Sequence, residues 1–475
     1  MTQYSAVRTT GIYCRPGCPA RPDPRNVRHF DQPAAAEAAG FRACLRCRPY
    51  RTAPGVSWSG PELVCRAVQL VLDGALDHGN EDGLGARIGV SARHLRRLFH
   101  EHVGATPDQL ARSRRTHFAR RLLDDTDLTV TDIAHAAGFG SVRQLNRACV
   151  EIFCATPREL RARRRRADRL VADGGLALRL PHPGELDWPT VLAFLAPRAI
   201  PGVEHVDLTA ATYRRTIEVD GDAGVLELQP CDDEHLLLRL HLPHWEELIH
   251  LVQRARRIVN LDLDLHAARV HLAGDPLLGP LVRAHPGRAV PGTWDPFETG
   301  VRAIAGQQVS VAGATTLTGR IATELGRPVP GLEPLGLTHL FPSADCLAGT
   351  DLSGLGFTAA RASAIAGFAT AVRDDRIRLD RSAPLDEFVA SVTAVAGLGP
   401  WTAHYLAYRL GEPDAFPAGD LGLRRAVTPP GAERMATERD LTARADSWRP
   451  WRALAATHLW TSAAAAPTAA LRPAS

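Results

Sequence analysis

Two close cysteine pairs, Cys14-x3-Cys18 and Cys44-x2-Cys47, constrain this chain more than any other feature. The 25 residues between the pairs let two loops converge on a single tetrahedral ion. All four cysteines fall within residues 14 to 47 and the other five are scattered singly, which does not suit a secreted disulfide scaffold. Buried thiols or a disulfide remain open on spacing alone, and so does the choice between a structural and a reactive metal. The segment 1–56 is rich in Pro and Arg and shows few helical periods, so a small zinc-held α/β domain is expected there.

At 475 residues the chain exceeds what one core supports, so several domains are expected. Charge is unevenly spread: residues 1–170 carry 28 Arg against 17 Asp and Glu, and the remainder carries 28 against 35. The basic half is therefore the one suited to a polyanion, with affinity that falls as salt rises. All 56 basic residues are arginine and lysine is absent, which bears on mechanism below. No run of about 18 apolar residues spans a bilayer, and Met1 to Thr10 lack the apolar core of a signal peptide, so no membrane partner and a cytoplasmic location are expected.

Periodicity divides the rest of the chain. From Pro61 to about Ala167 the pattern is helical, with Leu63, Ala67, Leu70 and Val71 on one face, and the run Arg161–Arg166 forms a polar helix end or linker. Strand-like stretches follow at Tyr213–Val219, Val225–Gln229 and Leu236–Leu242, with a helix near His244–Val259, the mark of an α+β unit. Beyond Asp295 the periodicity is again helical, over Val301–Leu325, Ala359–Val372, Leu385–Val395 and Trp401–Leu410, so the last domain is expected to be all-α. The expected units are 1–56, 61–167, 175–288 and 289–465, with a tail at 466–475.

The segments Ala6-Val-Arg-Thr-Thr-Gly-Ile-Tyr-Cys-Arg-Pro-Gly-Cys18 and Ala39-Gly-Phe-Arg-Ala-Cys-Leu-Arg-Cys47 resemble the Ada-type zinc domain, a methylphosphotriester-DNA methyltransferase module. The match covers most of residues 4–50. It implies one Zn²⁺ per chain, with Cys14 as methyl acceptor and Cys18, Cys44 and Cys47 as the remaining ligands. Zinc keeps a thiolate deprotonated near neutral pH, so it supplies a nucleophile for a single-turnover transfer. Each transfer removes one negative charge from the site and so lowers its repulsion of DNA phosphates. Relatives carry about a further strand's worth of sequence before this motif, so a true start upstream of Met1 is expected.

Leu84–Phe99 has the form helix, Gly turn, Ser cap, second helix, and its polar face carries Arg93, Arg96 and Arg97. A second copy at Val130–Arg147 carries Arg143, Gln144 and Arg147 and is closed by Phe153-Cys-Ala-Thr-Pro-Arg-Glu-Leu160. Any two short helices around a glycine mimic one copy. Two copies with matching spacing, inside the basic half, resemble the AraC-type tandem helix-turn-helix. The resemblance implies promoter DNA as a partner, with the second helix of each copy in successive major grooves, and RNA polymerase as a further partner.

Val395-Ala-Gly-Leu-Gly-Pro-Trp-Thr-Ala403 places Gly397 and Gly399 in a tight turn that would expose backbone N–H groups to a phosphate. Downstream, Phe416-Pro-Ala-Gly-Asp420 precedes another helix, where Asp420 is equally an N-cap. Together with Trp294–Val311, Trp448-Arg-Pro-Trp-Arg452 and His458-Leu-Trp460, these segments resemble 3-methyladenine DNA glycosylase II of the helix-hairpin-helix superfamily, over nearly all of residues 178–462. The resemblance implies that Asp420 stabilises an oxocarbenium-like sugar, that Trp401, Tyr405, Trp460 and Phe194 line a pocket for a flipped base, and that Gly397, Gly399, Thr402 and Gln308 meet DNA.

In lyase-active relatives a lysine stands at the position of Trp401, and this chain has no lysine to replace it. Only Cys346 lies beyond Cys231, too few for an iron-sulfur cluster. Gln308 stands where a family member has an apolar wedge, and Leu421 replaces an aromatic. No Pro-Cys-His-Arg motif is present, so repair of O6-methylguanine is not expected. The resemblances imply a regulator of the alkylation response that is also a monofunctional glycosylase for alkylated DNA bases, associated with the bacterial nucleoid. Two alternatives stay open: a regulator whose glycosylase-like domain senses lesions without excision, and a glycosylase whose zinc is purely structural.

Overall fold

The computed structural model describes residues 3–51, 60–165, 168–170, 174–182, 186–429 and 431–465. Met1, the Ala53–Gly55 boundary, Arg166 and the expected tail at 466–475 lie outside the described residues.

The amino-terminal module is a four-stranded sheet of β1 (Tyr4–Val7), β2 (Ile12–Cys14), β3 (Val27–Phe30) and β4 (Arg42–Ala43), in the order β3-β1-β2-β4. One helix, Pro33–Ala38, covers it. Tyr4, Ala6 and Tyr13 are buried in the core of this sheet. The module sits on the long helix Pro107–Asp125. Tyr13 Oη donates to Glu37 Oε1 at 2.7 Å, and His117 Nε2 lies 2.6 Å from the same oxygen. Tyr50 Oη donates to the buried Asp124 at 2.8 Å.

Seven helices form the tandem between Glu62 and Ala162. The face expected from periodicity is the inward one: Ala67, Leu70 and Val71 are buried and Leu63 packs on them. Each recognition helix opens on a serine cap, Ser91 accepting from His94 N at 3.3 Å and Ser141 from Gln144 N at 3.2 Å. The glycines before them, Gly89 and Gly138, have φ of 77° and 75°, the left-handed turn that lets each helix pair double back. The arginine run does not extend the last helix, which ends at Ala162. Arg161 and Arg164 fold back instead to donate to the carbonyls of Leu128 and Thr126.

The next unit is an antiparallel five-stranded sheet of β5 (Leu176–Pro181), β6 (Glu204–Asp207), β7 (Thr212–Val219), β8 (Asp222–Asp232) and β9 (His235–His241), in the order β5-β9-β8-β7-β6. Asp220-Gly221, both at positive φ, close the β7–β8 hairpin in the geometry that matches strand twist. The helix expected from His244 begins only at Leu248, because Glu247 before it adopts φ 52°. The sheet shares one continuous apolar cluster with the amino-terminal cysteine module and the second helix-turn-helix.

A second cluster holds the carboxy-terminal helices and takes in Leu263, Leu265, Leu272, Leu278 and Val282. Residues placed by sequence before the 288 boundary therefore pack with the helical unit. That unit is helical, as expected, and among the described residues it also carries a short two-stranded ladder pairing Arg327 with Leu340 and Pro328 with His339. The helical periodicity read over Val301–Leu325 is carried by two helices, Pro296–Ala305 and Val311–Leu325. Gln308 at φ 56° breaks the chain, and Ser310 caps the second helix by accepting from Gly313 N.

Candidate active site and zinc centre

Parallel pairing of β2 with β4 aligns Tyr13 with Ala43, so the next residues, Cys14 and Cys44, emerge side by side. The Cys44 amide donates to the Tyr13 carbonyl at 3.0 Å and fixes that alignment. Cys18 returns through a turn at Gly17, whose φ is 73°, and the positive φ of Arg48 reverses the chain after Cys47. The ligand sulfurs all lie within 4.8 Å of one another. Zn–S bonds of about 2.3 Å in a tetrahedron require S···S edges of about 3.8 Å, so this donor set fits Zn²⁺. Cys14 is buried and the other three are half-buried. The hydrogen bond between Cys14 and Cys47 raises the first thiol and lowers the second to about 5, as expected of sulfurs crowded around a shared charge.

Arg93, Arg97, Arg143, Gln144 and Arg147 are exposed on the recognition helices. Arg96 is exposed as well, but its Nε is tied to the buried carboxylate of Glu81. Arg147 Nε donates to Glu151 at 3.0 Å, and Gln144 accepts from the Gly140 amide at 3.1 Å.

In the helical unit, Leu385–Thr393 and Pro400–Arg409 form the hairpin. Gly397 between them has φ 87°, and a Cβ there would meet Ala364 Cβ at 3.1 Å. Gly399 caps the second helix without a side chain, leaving the first amides of that helix free of a side-chain partner. Thr402 is placed differently from expectation. It is 3% exposed and its hydroxyl accepts from Gln307 Nε2 at 3.0 Å, so it braces the hairpin from inside. Gln308 and Val309 are exposed beside it.

Asp420 is the N-cap of the helix Leu421–Val427 and accepts from Leu423 N at 3.0 Å through Oδ1. The same carboxylate takes two indoles: Trp460 Nε1 donates to Oδ1 at 2.8 Å and Trp401 Nε1 to Oδ2 at 3.1 Å. The rings of Trp401 and Tyr405 stack at 5.3 Å and 7°, and Trp460 stands edge-on to Tyr405 at 6.5 Å and to Tyr408 at 5.1 Å.

Phe194 differs from the other expected pocket aromatics. Arg198 lies 4.0 Å and Arg409 5.1 Å from its ring centroid, so its ring already holds two cation–π contacts. Arg409 also donates to Tyr405 Oη at 3.4 Å and to the carbonyls of Pro291 and Gly292. Burial raises the Tyr405 phenol, but the guanidiniums of Arg409, Arg198 and Arg302 outweigh it and the net shift is downward. Burial, reinforced by Arg409 and Arg198, lowers Arg302 to about 10. Sequence reasoning missed Tyr408, Arg409 and Gln307. The helical spacing of Trp401, Tyr405, Tyr408 and Arg409 could have placed them on one face.

Three family models match the chain: "Metal binding domain of Ada" over residues 2–50, "Helix-turn-helix domain" over 84–163 and "AlkA N-terminal domain" over 177–295. A Mycobacterium tuberculosis protein described as a probable bifunctional transcriptional activator/DNA repair enzyme AlkA is 41% identical over 96% of this chain and 92% of its own. The DNA-3-methyladenine glycosylase 2 of Escherichia coli K12 is 32% identical over 58% of this chain and 93% of its own. Among solved structures, a 3-methyladenine DNA-glycosylase from Archaeoglobus fulgidus superposes with a TM-score of 0.52 at 21% identity, covering 60% of this chain and 98% of that one, a likeness of fold. With that near full-length identity, and with the cysteine cluster, the tandem helices and the Asp420 hairpin site on one chain, the protein belongs to the family of bifunctional transcriptional activator/DNA repair enzymes of the AlkA type.

Proposed function

We propose that the carboxy-terminal half is a monofunctional glycosylase that hydrolyses the N-glycosidic bond of alkylated bases, such as 3-methyladenine and 7-methylguanine, in double-stranded DNA. The observation that carries this reading is the convergence of two indole N–H groups and one helix-start amide on Asp420, beside a stack of aromatic rings. An alkylated purine is already cationic, so when the C1′–N bond breaks its electron pair leaves with a neutral base. Asp420 faces the positive charge that develops on the sugar, and a water oxygen then bonds to C1′ while its proton passes to the carboxylate or to solvent. Trp401, Tyr405 and Trp460 offer ring faces to the flipped base. The free amides after Gly399, with Gly397 and Gln308 nearby, meet the backbone and the gap in the duplex. A Schiff base with a lysine is closed to this chain, because it has none.

The amino-terminal half acts in this proposal as the alkylation sensor and activator. Zn²⁺, when bound by Cys14, Cys18, Cys44 and Cys47, holds the sulfurs as thiolates near neutral pH. Cys14 Sγ attacks the methyl carbon of a phosphotriester, the C–O bond breaks, and the phosphodiester leaves with the electron pair. The thioether that remains carries no charge, so the domain repels DNA less. Arg93, Arg97, Arg143, Gln144 and Arg147 then hold promoter DNA, with RNA polymerase as the next partner.

Base release from DNA containing 3-methyladenine or 7-methylguanine, comparing wild type with Asp420→Asn, tests the first half, and equal release by the two proteins would sink it. For the second half, mass spectrometry after exposure to methylphosphotriester DNA should find one added methyl on Cys14. Zinc bound with no adduct would leave the module structural.

A further inference from the structure

Asp420 presents about four lone-pair directions as a carboxylate, and three of them are filled. Oδ1 takes Leu423 N and Trp460 Nε1, and among the described residues Oδ2 takes Trp401 Nε1 alone. The remaining direction is therefore on Oδ2, and the group that sets it is Trp401.

Neither indole is free to turn. Trp401 is pinned by the parallel ring of Tyr405, and Trp460 by its edge-on contacts with Tyr405 and Tyr408. Tyr405 is in turn held through its hydroxyl by Arg409, whose Nε and Nη2 are anchored on Pro291 O at 3.0 Å and Gly292 O at 2.7 Å. Tyr408 is anchored to the helix Arg452–Ala465 by the Tyr408 Oη to Thr457 Oγ1 contact at 3.0 Å. The N–H edges of both tryptophans are thus spent on the carboxylate, and what Trp401 keeps for a base is the ring face turned away from Tyr405.

We infer that Trp401 and Trp460 are positioning residues for the Asp420 carboxylate, with Trp401 fixing the oxygen that faces the sugar, in addition to any stacking on the base. The inference rests on the glycosylase reading and deepens it. It orders the two residues by effect. Oδ1 keeps the Leu423 amide when Trp460 is changed, whereas Oδ2 keeps nothing when Trp401 is changed. A stacking role alone predicts no such order.

The test uses the full chain and the variants Trp401→Phe and Trp460→Phe, which keep an aromatic face and lose the N–H. Single-turnover release of 7-methylguanine is measured together with affinity for two abasic-site DNA duplexes, one with a cationic pyrrolidine in place of the sugar and one with a neutral tetrahydrofuran. Trp401→Phe should slow release about 10- to 100-fold and lower the pyrrolidine-to-tetrahydrofuran affinity ratio about tenfold, the range for a hydrogen bond to a charged group. Trp460→Phe should do less of both, and both variants should bind tetrahydrofuran DNA nearly as wild type does. A wild-type rate and ratio in Trp401→Phe would overturn the inference, as would slower release matched by an equal loss of tetrahydrofuran affinity. Should wild type release no base, the glycosylase reading fails, while the affinity ratio still decides whether the indoles aim the carboxylate. If Trp401→Phe does not fold, the smaller drop in ratio expected for Trp460→Phe carries the test, and an unchanged ratio there overturns it.

Discussion

Replacing Asp420 separates two duties that one side chain performs, because it is both the N-cap of the helix Leu421–Val427 and the carboxylate facing the sugar. In Asp420→Asn the amide oxygen takes the place of Oδ1 and keeps Leu423 N and Trp460 Nε1, while the amide nitrogen meets the Trp401 N–H, donor against donor. Asn caps a helix as well as Asp, and the site is partly open to water, so the loss of stability is about 1 kcal/mol. Asp420→Ala loses the cap and leaves both indoles without their acceptor, for a cost of about 2–3 kcal/mol. Base release should fall at least about 100-fold in both, since both lose the negative charge opposite the developing cation. Thermal melts and single-turnover release on 7-methylguanine DNA give the two readouts for each variant. The reasoning is refuted if Asp420→Asn releases base within about tenfold of wild type, or if the Asn and Ala variants melt alike.

Three further outcomes follow from the same geometry. Burial, with Arg288 and His285 nearby, lowers His458 from 6.5 to about 3. The stability it contributes is full above pH 6.5 and is lost as pH falls toward 3, at roughly 1.4 kcal/mol per unit, so His458→Gln should flatten the acid side of a stability–pH curve from urea titrations. Gly300→Ala should destabilise: its Cβ would lie 2.4 Å from Phe368 Cζ, a ring 1% exposed, and overpacking of about 1–3 kcal/mol exceeds the roughly 1 kcal/mol gained in helix propensity, as thermal melting will show. Removal of metal with a strong chelator should speed amide exchange across residues 4–47 and leave base release within about twofold, because the cysteine-bearing sheet and the Asp420 site belong to different apolar cores.

Chemistry that depends on residue type was legible without coordinates. The absence of lysine closes the lysine route to strand cleavage, and the spacing of Cys14, Cys18, Cys44 and Cys47 leaves two loops free to meet at one point. Strand-like stretches marked β7, β8 and β9, and the 3.6-residue period marked the inward face of the first tandem helix, since burial of one helix face is written into that period. Periodicity failed where backbone conformation overrides it. Gln308 at φ 56° divides the helical stretch Val301–Leu325 in two, and Glu247 at φ 52° delays the helix expected from His244. Neither residue type announces a left-handed turn.

The direction in which the side chains of the site point came from the packing of the folded chain. The resemblance to the glycosylases implied roles for Asp420, Trp401 and Trp460, which lie in three separate segments. Their meeting at 2.8 and 3.1 Å depends on the packing of the helices that carry them, through contacts between residues up to 40 positions apart. The same packing turned Thr402 inward to Gln307 and covered Phe194 with Arg198 and Arg409. Local pattern fixes which residues are polar or apolar. Which partner a polar edge finds is set by long-range contacts that no local window contains.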